Sequence, residues 1–497
     1  MKKNITFLRD TKRLVLFITV GLLSLSGCAT DQLSRAPLTP FTSWTEPQLS
    51  SINYVRDFSV QDNFRVAEPY PVPNINESHA YQLSELIDMA QMNNPDTRIA
   101  WQQARQAALA VGMTEATFLP MISASVIGGY QKNRTKLPYD QHINTSYNAL
   151  IPAVGFQWLL FDFGQRRALV DIAEKNSFAA NVSFNGMHQK LIYDVTSAYF
   201  MYGAALSRVN IAQKSLQNSQ NILDAAQARR RSGIATTVEV AQATQQVAQS
   251  RLNQVLSQGA ERDAWQALLG AIGISPASHF TVSYSDKKAL PDMYSMPTQS
   301  MIKRALSRRP DVLASFAAAQ AANSGIKAAE ADFLPKVYMA GAVVSGDGRF
   351  DVQGLPSLGS QSSSSNILVG VSVPLYDGGI RAARVKEAES RASASNEVFK
   401  KTQNSAVREI VAAASGLRSA LESNKAALNL VSTATITYDA ALDSYRNGVG
   451  TITVVNEANN NLLFAQQLSS DSYASARIAA ANLAFVMGEF WVMTPTY

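Results

Sequence analysis

Cys28 is the residue whose surroundings most clearly indicate covalent chemistry, and it is the only cysteine of the 497-residue chain. It follows a basic stretch and the apolar segment Leu14–Leu25, which is the composition of a secretory signal over residues 1–27. The run Leu25-Ser26-Gly27-Cys28 resembles a bacterial lipobox, in which the cysteine is acylated and becomes the first residue. We therefore expect Cys28 to carry a lipid anchor; the alternative is a chance cysteine beside an ordinary signal. Ala29, rather than an aspartate, resembles the pattern for sorting to the outer membrane.

Other residue types that could support catalysis or metal binding are scattered along the chain. Gly346-Asp347-Gly348 falls in a Ser/Gly-rich stretch and does not lead into a phosphate-binding helix. The histidines form no cluster with metal-ligand spacing; they are His79, His142, His188 and His279. We expect neither enzymatic activity, nor a cofactor, nor a metal site.

The charge of the chain gives no electrostatic reason for a nucleic-acid partner. Its formal net charge of +6 includes the signal, in which five basic residues outnumber Asp10. Removing residues 1–27 therefore takes away four positive charges and leaves +2. A nucleic-acid-binding protein would need a concentrated basic surface.

The chain repeats itself at a constant offset of 215 residues, so that residues 94–273 align with residues 309–488 without a gap. Long repeats of one structural unit indicate an architecture in which the halves occupy equivalent places. The gapless register indicates that geometry fixes the length of each element. The repeated landmarks are Pro95-Asp96 and Pro310-Asp311, Phe118-Leu119-Pro120 and Phe333-Leu334-Pro335, Asp162 and Asp377, Gly233 and Gly448, and Gly273 and Gly488.

Each repeat predicts a very long helical hairpin. No proline occurs from 153 to 275 or from 375 to 494, and apolar positions there keep near-helical spacing. Long helices over about 163–231 and 378–447 would each measure roughly 100 Å, and they are too polar to span a membrane. Return helices are predicted over about 236–270 and 451–487, and shorter helices over about 83–117 and 299–332.

Two strand candidates precede each long helix, over about 121–131 and 150–161 in the first repeat and about 336–346 and 366–376 in the second. Apolar residues alternate along them, and their lengths suit tilted transmembrane strands of about 9–11 residues. A soluble four-stranded sheet is the alternative. The polar linkers Lys132–Asn148 and Asp347–Ser365 are expected to be external loops, the second of them mobile because of Ser362–Ser365 and its glycines.

Four strands cannot close a membrane barrel, and open strand edges are not tolerated in lipid. A membrane-spanning sheet must therefore be shared between copies of the chain. Two copies would give eight strands and a nearly filled barrel, whereas three would give twelve strands around a lumen. Polar helices of roughly 100 Å favour the hollow solution.

The predicted boundaries follow from these elements. Residues 28–80 contain six prolines and little periodicity, so they are expected to form the lipid anchor and an extended tether. The remaining units are the first repeat at 81–275, a linker at 276–298, the second repeat at 299–490 and a C-terminal tail at 491–497.

The doubled and ordered motifs resemble the TolC-like outer-membrane factor family, the outer membrane efflux proteins. The resemblance rests on the Phe-Leu-Pro before each strand pair, the Gly turns at 233 and 448, and two motifs after the strands, Asp162-Phe-Gly-Gln-Arg and Asp377-Gly-Gly-Ile-Arg. It implies an α+β membrane protein: a homotrimer with a 12-stranded outer-membrane barrel, four strands per chain, and a periplasmic 12-helix tunnel. The lipidated Cys28 makes the chain more similar to the efflux branch.

The resemblance also implies that the Gly turns lie at the periplasmic tip and dock the hairpins of a membrane-fusion adaptor. The residues that match one tip are Gly233, Ile234, Ala235 and Thr236, and those that match the other are Gly448, Val449, Gly450 and Thr451. Glycine suits such a turn because it adopts positive φ and permits close backbone approach. The alternative is that both glycines merely cap helices.

A gate near the tips is implied as well. Tyr445 matches a tyrosine of the family's gate network, Glu239 matches its acidic partner, and Glu457 matches an aspartate that rings the aperture. Val454 and Gly450 stand where the family pattern has another aspartate and an arginine. Closure is therefore expected to depend on apolar and amide packing, with Val454 and Asn459–Asn461 as candidates, while Glu457 could simply be a solvated helix-face residue.

The function implied is that of a passive, trimeric outer-membrane exit channel for drugs or toxic small molecules. Its expected partners are a periplasmic membrane-fusion adaptor, an inner-membrane pump that is proton-driven or of the ABC type, and outer-membrane lipid. The first alternative is the channel of a type I protein secretion system. The second is a structural lipoprotein without a pore.

Overall fold

The computed structural model of the chain describes residues 75–136, 138–140, 142–285, 290 and 296–489. The predicted signal, Cys28, the tether up to residue 74, part of the linker, and the C-terminal tail lie outside the described residues. The described residues form two successive copies of one unit, in which short helices lead into two strands and the strands lead into a long helical hairpin.

The first copy begins with the two-residue strand β1 and ends with the second arm of a hairpin. Its elements are β1 (Ala80–Tyr81), α1 (Leu83–Asn93), α2 (Pro95–Glu115), β2 (Met121–Lys136), β3 (His142–Phe161), α3 (Gln165–Arg231) and α4 (Thr237–Ile272).

The second copy follows the same order. Its elements are β4 (Thr281–Val282), α5 (Gln299–Leu306), α6 (Pro310–Glu330), β5 (Lys336–Val352), β6 (Leu358–Ser372), α7 (Ile380–Arg446) and α8 (Ile452–Val486). The strands β1 and β4 pair in parallel, with Ala80 opposite Thr281, and so join the two copies outside the main sheet.

The short helices differ from the prediction, because each predicted segment is two helices and not one. Pro95 occupies the first turn of α2, and the Asn94 side chain caps that turn by accepting a hydrogen bond of 2.8 Å from the Asp96 amide. A residue before proline is disfavoured in the helical conformation, so the chain breaks at Asn94. Pro310 separates α5 from α6 in the same way.

The main sheet is antiparallel, with strand order β2-β3-β5-β6. Its strands have 16, 20, 17 and 15 residues, which is longer than predicted. The predicted external loops are correspondingly shorter. Ser362–Ser365 are not loop residues; they lie in β6, where Ser362 pairs with Gly346 and Ser365 with Val343. Their polar side chains hid the strand from the hydrophobic pattern, whereas ladder hydrogen bonds need only the backbone.

The long helices α3 and α7 each contain 67 residues and are therefore about 100 Å long. Each begins after a glycine with positive φ, Gly164 at 94° and Gly379 at 91°. The cores of the hairpins are narrow seams of alanine and aliphatic side chains, not one large core. Among the described residues, no helix combines the length and apolar character needed to cross a membrane.

Candidate functional site

The sheet has one exposed apolar face near the helical end of its strands. Ile122, Phe156, Gly341 and Ile367 are register partners across the four strands and so project from the same face. Ile122 is 71% exposed and Ile367 is 72% exposed. An exposed apolar surface of this kind marks a contact with lipid or with another protein.

The opposite face of the sheet is mixed, and one of its register rows carries small and polar side chains. The neighbouring register row across the four strands consists of Ser123, Gly155, Ala342 and Asn366. Successive residues of a strand point to opposite faces, so the two rows define the two surfaces of the sheet. The row of Ile122 therefore suits an apolar environment and the row of Ser123 suits water, while Met121 and Leu368 add exposed apolar side chains to the second face.

A buried ion pair fastens α3 to the first strand pair. Arg166 donates to Asp162 through Nε at 2.8 Å, donates to the Thr117 carbonyl through Nη1 at 2.9 Å, and lies 4.5 Å from the centre of the Phe118 ring. Burial alone would raise the pKa of Asp162, but the hydrogen bonds and positive charge of Arg166 outweigh burial and hold that pKa below its ordinary value. The Phe-Leu-Pro motif and the Asp162-Phe-Gly-Gln-Arg motif thus meet in one set of contacts. We call the contacts of Arg166 with Asp162 and Phe118 the clamp.

The second repeat forms the same clamp with more solvent around it. Arg381 donates to Asp377 at 2.7 Å and to the Pro374 carbonyl at 2.8 Å, and its guanidinium lies 5.2 Å from the centre of the Phe333 ring. The hydrogen bond from Arg381 lowers the pKa of Asp377. The Asp377 side chain is 28% exposed, against 6% for Asp162.

The tips of both hairpins have the same backbone turn. Gly233 has φ 76° and Gly448 has φ 85°, so each ends a helix in the left-handed conformation that glycine adopts without strain. The Ile234 amide donates to the Arg229 carbonyl and the Val449 amide donates to the Ser444 carbonyl, each at 3.0 Å. These bonds satisfy the last carbonyls of α3 and α7, so capping is established for both glycines.

The residues after each glycine are presented outward. Ile234 is 60% exposed and Val449 is 84% exposed. Thr236 caps α4 by accepting from the Glu239 amide, while Thr451 makes no side-chain cap at the start of α8. Helix capping therefore accounts for the glycines and for the backbone amides of Ile234 and Val449, whose side chains remain largely exposed.

Tyr445 and Glu239, predicted to form a gate pair, are in contact. Tyr445 is fully buried, and its hydroxyl donates to the Glu239 carboxylate at 3.2 Å. The same carboxylate accepts from the Thr236 amide at 3.3 Å, so the gate pair and the α4 cap share one side chain. Burial and the neighbouring carboxylate raise the pKa of Tyr445 to about 12, so the hydroxyl remains a donor.

Arg229 completes this contact and was missed by the sequence analysis. Its guanidinium lies 4.7 Å from the centre of the Tyr445 ring and donates to the Tyr445 carbonyl. The arginine absent at Gly450 could not be placed there without movement, since a Cβ on Gly450 would lie 3.0 Å from the Tyr445 nitrogen. The sequence signal that could have identified Arg229 was its difference from the aligned residue of the other repeat, Ser444.

The other two predicted aperture residues lie apart from this network. Val454 is 52% exposed and Glu457 is exposed on the same helix. Within the part of the chain that the structure describes, the Glu457 carboxylate forms neither a hydrogen bond nor an ion pair. A role for either residue at an aperture remains a prediction.

A buried polar layer joins α3, α4 and α8 behind the tips. Asn459 is 1% exposed and donates to the Ser219 hydroxyl at 3.1 Å, and Ser219 shares a 2.7 Å hydrogen bond with Ser250. Beside it, Gln246 donates to Asn460 at 2.6 Å. Amide side chains near the tips therefore join helices of both repeats, and their part in closure remains a prediction.

Comparison with known proteins adds a family match for both repeats. The model of the family described as "Outer membrane efflux protein" matches residues 86–274 and 301–489. Outer membrane protein OprJ of Pseudomonas aeruginosa is 24% identical over 412 residues, covering 82% of this chain and 84% of OprJ. The probable outer membrane lipoprotein SilC of Salmonella typhimurium is 25% identical over 420 residues, covering 83% and 86%.

A crystal structure of CusC has the same fold. It superimposes with a TM-score of 0.72 at 20% sequence identity, over 85% of this chain and 97% of that one. The α+β fold class predicted from the sequence, with long helices and a β domain, is therefore confirmed.

Proposed function

Because the chain belongs to the outer membrane efflux protein family, we propose that it is the outer-membrane exit channel of a tripartite efflux system. The observation that carries the proposal is the open four-stranded sheet, apolar on one face, at the head of two helical hairpins about 100 Å long. The sheet suits the outer membrane and the hairpins suit the periplasm.

Three copies complete the channel. The outer edges of β2 and β6 carry unpaired backbone groups, which cost several kcal/mol each in lipid, as an order of magnitude. Pairing β6 of one copy with β2 of the next removes every edge and gives twelve strands around a lumen. The apolar row of Ile122 and Ile367 then faces lipid, and the row of Ser123 and Asn366 faces water.

The tips are the proposed contact with the periplasmic adaptor. Gly233, Ile234, Ala235 and Thr236 form one docking tip, and Gly448, Val449, Gly450 and Thr451 form the other. The exposed side chains of Ile234 and Val449 support this assignment, because helix capping uses only the backbone amides of these residues. An inner-membrane pump, proton-driven or of the ABC type, supplies the energy, and the channel conducts passively.

Cys28 is the proposed lipid anchor. The lipobox-like sequence supports it, as does the similarity to SilC, a probable outer membrane lipoprotein. The proposed cargo is drugs or toxic small molecules, and a type I secreted polypeptide is the second candidate. The duct itself does not select cargo, so the adjacent pump genes decide between the two.

Edge pairing can be tested by disulfide trapping in the membrane. Ala124→Cys on β2 would be combined in turn with cysteine at Ser365, Ile367, Val369 or Val371 on β6. The only native cysteine, Cys28, is the proposed lipidation site. We expect at least one combination to give covalently closed trimers on oxidation, seen on non-reducing gels.

The matched control combines Ala124→Cys with Val343→Cys on the interior strand β5. Val154 of β3 lies between these two positions in the register, so their Cα atoms are farther apart than the roughly 7 Å limit of a disulfide. Absence of cross-links in every β6 combination would contradict the shared barrel. Purified trimers should also show unitary conductance in planar bilayers, and a folded trimer that never conducts would contradict the channel.

A further inference from the structure

The tip of the first hairpin carries more positive charge than its repeat counterpart. Residues 227–241 contain Arg229, Arg230 and Arg231 against Glu239, a net charge of +2. The aligned residues 442–456 contain Arg446 against Asp443, a net charge of zero. The two tips have the same backbone but different electrostatic character.

Only one of the three arginines has an intramolecular side-chain contact among the described residues. Arg229 packs on Tyr445 and donates to its carbonyl. Arg230 and Arg231 are exposed, and they form no ion pair and no side-chain hydrogen bond among the described residues. Glu239, the acidic residue of this tip, already accepts from Thr236 and Tyr445. In the described part of the chain, two positive charges per copy are therefore left without a partner.

Exposed apolar side chains lie beside these charges. Ile234 follows Arg231 by three residues, and Val238 on the first turn of α4 is 64% exposed. The second tip is close by, since a Cβ on Gly448 would lie 3.6 Å from Arg229 Nη1. The surface is thus an apolar patch bordered on one side by guanidinium groups, which favour carboxylates.

The end of α3 does not by itself require two free arginines. Cations at a helix carboxyl terminus are stabilising, but only by about 0.3–1 kcal/mol each at exposed sites. In the second repeat the equivalent helix end has one arginine, Arg446, with an aspartate three residues before it. An intramolecular role would predict similar charge at both ends.

We propose that the tip of the first hairpin binds a helical hairpin whose apolar loop is flanked by carboxylates, while the second tip binds through apolar contact alone. This inference rests on the proposed adaptor docking and specifies the chemistry of the docking partner. Three copies would present six free arginines around the aperture, two at each first tip. The acidic groups of the partner would therefore contact the three first tips and not the three second tips.

The test uses the full-length trimer in detergent and two synthetic helical hairpins with the same apolar loop. One hairpin carries glutamates beside the loop and the other carries lysines at the same positions. We expect the glutamate hairpin to bind at least about 10-fold more tightly at low salt, and the difference to shrink near 1 M salt, where the Debye length is about 3 Å. Arg230→Glu combined with Arg231→Glu should reverse the preference.

The matched control is Arg418→Glu, which reverses the charge of an exposed arginine on α7 away from both tips and should leave the preference unchanged. Circular dichroism and trimer migration check that each variant is folded, and Arg230→Gln with Arg231→Gln should remove the preference without reversing it. Equal binding of both hairpins would overturn the charge inference while leaving docking in place. Binding of neither would overturn docking at the tips, and the conductance measurement would still report on the channel.

Discussion

The contacts of single residues explain why the Phe-Leu-Pro motif and the aspartate–arginine motif occur in both repeats. Phe118 and Phe333 each support an arginine that reaches back to an aspartate between a strand and a long helix. The clamp fixes the point where a strand becomes a helix, and each copy of the chain needs it twice. The motifs are therefore structural, although the sequence alone presented them only as signs of family resemblance.

The buried clamp predicts a loss of stability in acid. The pKa of Asp162 is lower in the folded chain than in the unfolded chain, so its contribution is present above the ordinary value of 3.8 and is lost as pH falls through the lower folded value. Asp162→Asn leaves the Arg166 guanidinium buried without its partner, which should cost roughly 3 kcal/mol. Thermal unfolding of the trimer between about pH 7 and pH 3 measures both effects.

The control is Asp377→Asn, because Asp377 makes the same contact with more solvent around it. It should destabilise less than Asp162→Asn. An equal loss of stability in the two variants would mean that burial of the Asp162–Arg166 pair does not determine its contribution to stability.

The Tyr445 contact gives a prediction about the proposed gate. Tyr445→Phe keeps the buried ring but removes the hydrogen bond to Glu239, a change of about 1.5–3 kcal/mol for a bond to a charged group. We expect more frequent opening in planar bilayers, and a similar effect from Arg229→Gln. Because the pKa of Tyr445 is raised, its hydrogen bond to Glu239 is fully present below the ordinary tyrosine value of 10.0. The bond is lost as pH rises through about 12.

Glu457→Gln is the comparison for this prediction. Glu457 lies outside the Tyr445 contact, so its replacement should leave opening frequency unchanged and alter cation preference if the residue rings the aperture. Unchanged opening in Tyr445→Phe would show that closure does not depend on this hydrogen bond.

At the scale of elements, hydrophobic periodicity and turn residues were enough to predict the long helices from the sequence. The two long helices were found because proline is absent, apolar spacing is helical, and glycines mark both ends. The strands were predicted too short, because β6 begins with a run of polar residues whose pairing depends on the backbone. The breaks before Pro95 and Pro310 were recognisable in principle from the prolines, but one helix was predicted across each of them.

The contacts between elements were the least predictable part of the site. Arg229 meets Tyr445 across more than 200 residues, and Asn459 meets Ser219 across 240 residues. Nothing in local pattern specifies which faces of four similar, weakly amphipathic helices will meet. Tyr445 with Glu239 was predicted only because the family resemblance supplied the pair.

The turn at the second tip gives a prediction at this scale. Gly448→Trp puts a bulky side chain at φ 85°, where it is strained, and covers the surface beside Val449. Gly448→Asn is the matched control, since asparagine tolerates the left-handed conformation and is small. We expect the tryptophan variant to lose efflux, measured as drug susceptibility, while still forming trimers; the asparagine variant should keep both.

Drug susceptibility unchanged by Gly448→Trp, with trimers present, would count against docking at that tip. Loss of trimers in the tryptophan variant alone would show that the turn matters for folding. The asparagine variant separates these effects because it preserves the backbone.

For the whole molecule, two equivalent repeats produce a channel whose tips are not equivalent. The sheet and the helix lengths follow the repeat closely, and these parts build the duct. The tips depart from it in Arg229 against Ser444, Glu239 against Val454, and Arg230 against Tyr445. The features that the two repeats share therefore build the sheet and the long helices. The residues in which the repeats differ are concentrated at the tips, where closure and partner binding are proposed.

The equal length of α3 and α7 limits how such a chain can evolve. Inserting one residue in only one of these helices would turn everything beyond it by about 100° and displace its tip by about 1.5 Å. Arg229 would then lose Tyr445, and the tip would no longer be level with its neighbours. Insertions and deletions should therefore survive in the hairpins only as compensated changes in both halves of the gene, whereas the turn between β5 and β6 is free to vary.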